Sequence, residues 1–143
     1  MLKEFFSPVG FWQDNAITLS RIVVGSFMIY HGIEVFDRAK MTEYAKMLTD
    51  LKMGSSLLMA YLGKACELIS GCLLFLGLFT RIASLILAIN MLMITFRIGE
   101  GRFFMEEQYP FLFVLFAIIF FFSGGGKWSL DRLLFKTKNK KAV

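Results

Sequence analysis

Six side chains with chemical potential stand inside stretches otherwise dominated by Leu, Ile, Phe and Met: Arg21, His31, Glu34, Lys64, Glu67 and Asn90. A charge at mid-bilayer costs about 2.5–3.5 kcal/mol on insertion scales, so such groups face inward and find partners. Five of them, Arg21, His31, Lys64, Glu67 and Asn90, are the candidate lining of a buried polar pocket. Two uses fit these residue types. An Arg21–Glu67 ion pair could fix helix register and do nothing else. Alternatively, the set could bind a small head group, or relay protons beside a redox cofactor. His31 titrates near neutral pH and suits proton transfer or axial ligation. It is also the only histidine, which excludes a bis-histidine haem site within one chain. Cys66 and Cys72 match neither a Cys-x-x-Cys nor a zinc spacing. Six positions turn a helix through about 600°, leaving the thiols on different faces as small buried hydrophobes. With no nucleophile–base set and no metal cluster, the residues assign no reaction.

The elements that must position these groups are helices in lipid. The chain has 143 residues, 57% of them hydrophobic, with 17 Phe and 9 Met against 2 Pro and a mean hydropathy of +0.63. So small a soluble fold could not bury that much apolar surface. A span needs roughly 20 apolar residues, and four stretches qualify or nearly do: about 17–36, 56–79, 82–98 and 109–122. The fourth is short, with Phe103, Phe104 and Trp128 extending its apolar reach. The expected fold is an all-α integral membrane protein: one four-transmembrane-helix bundle over 1–135, followed by a basic tail over 136–143. Met1–Gly10 lacks the features of a cleavable signal peptide, and Phe5, Phe6, Phe11 and Trp12 suit interfacial anchors.

Between the first two spans, Met41, Tyr44, Ala45, Leu48 and Leu51 recur at helical spacing, which predicts a short amphipathic helix on the membrane surface. After the fourth span, the glycines permit a helix-ending turn. Ser129 or Asp131 can then cap a short interfacial helix bearing Leu130, Leu133, Leu134 and Phe135. Lys136, Lys138, Lys140 and Lys141, with Arg81 in an expected Thr80–Arg81 turn, place both termini in the cytoplasm. Arg38, Lys40, Lys46 and Lys52 would then lie outside, against that rule. No basic face or motif suggests nucleic acid.

In that frame, rise per residue puts Lys64 at the depth of His31, with Glu67 one turn nearer the cytoplasm. Arg21, reaching upward, is the expected partner of Glu67, and Lys64 is expected near His31. Glu34 and Arg97 are expected to snorkel outward. Gly25 and Gly32 on the first span, and Gly63 and Gly71 on the second, mark close-packing faces.

The ordered segments Arg21-Ile-Val-Val-Gly25 … Tyr30-His31-Gly32, Glu67-Leu-Ile-Ser-Gly71 … Leu76-Gly-Leu-Phe-Thr-Arg81 and Ser123-Gly-Gly-Gly-Lys-Trp-Ser-Leu-Asp131 resemble the DoxX family of small bacterial membrane proteins. Glu34 stands where many members place a Lys. The resemblance implies a multi-pass protein of the bacterial inner membrane. It also implies an accessory or quinone-linked subunit of a membrane oxidoreductase, and the residues themselves place the charged pocket between the first two spans. Its partners would be the bilayer, a membrane or soluble oxidoreductase, and a second copy of itself. A small-solute transporter, which would need dimerisation, and a non-catalytic scaffold are the alternatives.

Overall fold

The computed structural model describes residues 12–98 and 108–135. The anchors expected at Phe5, Phe6 and Phe11, the pair Phe103 and Phe104, and the basic tail lie outside the described residues. Helix α1 runs Gln13–Gly32 and tightens into a 3₁₀ turn, Ile33–Phe36. α2 follows at Arg38–Asp50, α3 at Ser56–Leu76 and α4 at Thr80–Met93, the last continuing as a π turn, Ile94–Ile98. α5 is Gln108–Ser123 and α6 is Leu130–Leu134. Among the described residues there is no strand. Three helical stretches are long and apolar enough to cross a membrane: Gln13–Phe36, Ser56–Leu76 and Thr80–Ile98. α5 is equally apolar but has only 16 residues.

Local chemistry sets these boundaries. α3 stops three residues short of expectation because Gly77 takes a left-handed conformation (φ 67°) and its N–H bonds back into the last turn. That conformation carries a steric cost for any residue with a Cβ. The turn therefore lies over residues 77–79, and Thr80 and Arg81 open α4 instead of forming the turn. α2 begins where Asp37 sits in extended backbone and its carboxylate accepts from Ala39 N and Lys40 N at 3.0 and 3.3 Å. This is side-chain capping of orphan amides.

α1 packs mainly on α3, and α4 on α5. Buried Val24, Met28, Leu74, Leu87, Ala117 and Phe120 join the four helices in one core. Outside it, Phe27, Leu62, Ile69, Ile89 and Ile119 are about half or more exposed, as suits helices solvated by hydrocarbon. Cys72 belongs to this outer face and is exposed, not buried, while Cys66 is half-buried.

At the α1–α3 contact, a Cβ on Gly25 would lie 2.6 Å from Phe75 N, and one on Gly71 would lie 2.7 Å from Ile29 N. The two backbones touch, as small residues allow in membrane bundles. Gly63 does not share this contact. Its nearest neighbour across the bundle is Asn90 Oδ1, at 3.7 Å from an added Cβ.

Candidate functional site

The candidate charges fall into two groups, one at the C-terminal end of α3 and one about its middle. Arg21 does not pair with Glu67. Its guanidinium, 1% exposed, donates to Leu74 O, Phe75 O at 3.0 Å, Gly125 O at 3.1 Å and Trp128 O at 2.8 Å. The last carbonyls of a helix lack intrahelical partners and carry the negative end of its dipole, so they hold a cation that the Glu67 carboxylate, about two turns away, does not reach. Arg21 thereby ties α1, the end of α3 and the glycine-rich segment together.

The rest of that segment closes the same end. Lys127 N donates to Thr18 Oγ1 at 3.0 Å. A Cβ on Gly126 would meet Thr18 Oγ1 at 2.5 Å, and one on Gly125 would meet Ser129 and Thr80. The Ser129 hydroxyl caps α6 by accepting from Arg132 N. Asp131, a cap residue in the sequence reading, serves a different helix: its carboxylate accepts from Phe79 N at 2.6 Å and Thr80 N at 2.8 Å, capping α4.

The second group gathers where α2 folds over the bundle. Lys64 Nζ lies 3.0 Å from Glu67 Oε2 and 3.0 Å from Glu34 Oε2. Glu34 turns inward rather than snorkelling, because Lys40 and Tyr44 of α2 close over it. Lys40 Nζ donates to its Oε1 and the Tyr44 hydroxyl to its Oε2, at 2.5 and 2.8 Å. Lys64 also sits 4.9 Å from the centroid of the Tyr44 ring, within cation–π range. Two cations and two carboxylates thus balance. The hydrogen bond to Glu34 holds the Lys40 pKa above its ordinary value, and burial, then the same carboxylate, push the Tyr44 phenol up.

Of the sequence candidates, Lys64 and Glu67 share this cluster. Asn90 approaches from α4, its Nδ2 donating to Gly63 O at 3.2 Å. His31 is on an exposed face, edge-on to Tyr30 at 5.5 Å. It lies within electrostatic reach of Glu67. Glu34, Lys40 and Tyr44 escaped the sequence reading as site residues. The helical stripe carrying Tyr44 was visible, but not the sharp Asp37 turn that lays α2 back over Glu34.

Beneath α2, between α3 and α4, lies a cavity of about 600 Å³. Lys64, Glu67 and Asn90 supply its polar wall, Cys66 adjoins them, and the remaining lining is largely Leu, Ile and Met. Leu62, Ile89 and Met93 line it while staying 42–60% exposed on the outer face. The cavity therefore opens sideways, toward the surface that lipid would cover. The pocket expected between the first two spans is displaced to the other side of α3, because the glycine contact leaves no room between α1 and α3.

A family model described as DoxX matches residues 16–100. The chain belongs to the DoxX family. Its apolar helices and this membership make it a membrane protein. It is similar to an uncharacterized protein of Haemophilus influenzae, 32% identical over 132 residues, covering 87% of this chain and 95% of that one. It is also similar to a Bacillus subtilis protein named "Putative oxidoreductase CatD", 30% identical over 127 residues, covering 87% and 91%. No solved structure matches the chain significantly. Arg21, Glu34, Lys64, Glu67 and Asn90 all fall inside the matched DoxX region, whereas the closing glycine-rich element that Arg21 grips lies beyond it.

Proposed function

We propose that this DoxX protein is the quinone-linked membrane subunit of an oxidoreductase system in the bacterial inner membrane. α5 serves as its fourth span, and both termini lie in the cytoplasm. One observation carries the reading: a laterally open cavity of about 600 Å³ whose walls are apolar and whose polar wall holds Lys64, Glu67 and Asn90. Its size lies within the range of ordinary ligand sites, which combine apolar walls with a few convergent polar groups. The side opening suits a ligand that arrives dissolved in hydrocarbon. Lys64 and Asn90 bear N–H donors for a ring carbonyl, and the Glu67 carboxylate accepts from a ring hydroxyl. When bound, a quinone supplies two-electron, two-proton chemistry. The residues hold and orient the head, and Glu67 holds or yields a proton. The relative's oxidoreductase name supports the same direction.

A photoreactive quinone with an isoprenoid tail should label peptides of α3 and α4, with untagged quinone competing. Glu67→Gln should weaken labelling about tenfold or more, the loss of one charge-assisted hydrogen bond. The fold survives that change because Lys64 keeps Glu34 as its counter-charge. Absence of specific labelling, with quinone-linked turnover untouched by Glu67→Gln, would reject the proposal.

A further inference from the structure

The geometry points to a proton conduit, Glu67–Lys64–Glu34, leading from the polar wall of the cavity to the aqueous surface at the edge of α2. Only the identity of the protonating ligand rests on the quinone reading. The conduit itself rests on the contacts of the cluster.

Three features argue for it. The links are continuous, with Lys64 Nζ 3.0 Å from a carboxylate oxygen on either side and Glu34 bonded in turn to Lys40 and Tyr44. Exposure of the side chains rises in the same order, from 7% at Glu67 through 14% at Lys64 and 17% at Glu34 to 47% at Lys40. The inner end lines the cavity, so the chain of groups joins a binding space to water.

The central cation is also of the type that can release a proton. A register lock is better served by Arg, which stays charged and forks to several acceptors. The chain uses Arg in that way at position 21. Lys is the residue whose charge can move. In the transfer, one N–H bond of the Lys64 ammonium breaks and one O–H bond forms on Glu67, leaving a neutral amine beside a neutral acid. Water beside Lys40 then protonates the Glu34 carboxylate, which passes that proton to the Lys64 amine and returns to its charged form, restoring the ammonium. The first transfer leaves the total charge of the three groups unchanged.

The charged or titratable groups around Glu67 are Lys64 and Cys66 on its own helix, His31 from α1 and Glu34 from the 3₁₀ turn. Tyr44 of α2 and Arg97 beyond α4 also line the cavity. His31 is the competing proton source, so the test must separate it.

A hydrophobic carbodiimide reaches carboxyl groups from the lipid and modifies them only when they are protonated. The full-length protein is sealed into quinone-free lipid vesicles of either orientation, with the pH of the two aqueous phases set independently. Acid on the α2 side should raise the Glu67 adduct severalfold by mass spectrometry, and acid on the opposite side should not. His31→Gln should keep this dependence. Lys64→Arg, which retains the charge and both ion pairs but cannot deprotonate, should lose it. Four results would overturn the conduit: no Glu67 adduct, an adduct that follows the opposite phase or neither, a wild-type response in Lys64→Arg, or loss of response in His31→Gln. Because no quinone is present, failure here leaves quinone labelling of the cavity standing, and failure of labelling leaves the conduit standing.

Discussion

Arg21 and Lys64 are both cations in apolar helices, and their surroundings give them different work. Arg21 donates its hydrogen bonds to carbonyl oxygens, with the Asp131 carboxylate within electrostatic reach, so it neutralises a helix end and cross-links three segments. Replacing it with Leu should cost about 2–4 kcal/mol, the worth of one or two charged hydrogen bonds, read as earlier unfolding in detergent. Because Arg21 and Glu67 share no partner, the costs of Arg21→Leu and Glu67→Leu should add within about 0.5 kcal/mol. An ion pair would instead make the double variant milder than the sum. Residue types revealed that both charges turn inward. They could not reveal the partners, since the acceptors of Arg21 are backbone carbonyls, which every residue possesses and no side-chain pattern marks.

At the scale of elements, the α1–α3 contact was legible because glycines recur at helical spacing, and the resulting closeness moved the cavity toward α4. Gly71→Leu should therefore cost about 1–3 kcal/mol by overpacking, whereas Gly63→Ala, with ordinary van der Waals space, should be far milder in the same unfolding assay. α2 was legible as an amphipathic helix, but its docking depends on Asp37 and on pairs contributed by Glu34. The Tyr44 phenol reports that docking. Its pKa is raised above 10.0 by burial and the hydrogen bond to Glu34. The stability it contributes is complete below the unfolded value near 10 and is lost as pH rises through the higher folded value. An alkaline absorbance titration, with Tyr44→Phe subtracted, should show this one phenol ionising later than a free tyrosine and α2 loosening as it does. Ionisation at the free value would mean that α2 is not docked on Glu34.

For the whole molecule, the question is whether α5 crosses the bilayer. At 16 residues it spans only about 24 Å, and the sequence left its status to its apolar flanks. The packing bears on the answer directly. Val114, Ala117 and Phe120 bury in the common core, and the segment after Ser123 docks on Thr18, Gly77 and Thr80. α5 thus delivers its C-terminus to the end of the bundle where α1 begins and α3 ends, opposite α2. Lys40, one of the basic residues that argued against placing α2 outside, is engaged with Glu34, which lessens that objection. With Cys66 and Cys72 replaced by Ala, a membrane-impermeant maleimide should label Lys46→Cys in intact cells and Lys138→Cys only after permeabilisation. A three-span chain would carry residue 138 to the side of α2, and both cysteines would then label from outside. The two topologies predict opposite results at one position, so a single labelling at residue 138 decides between them.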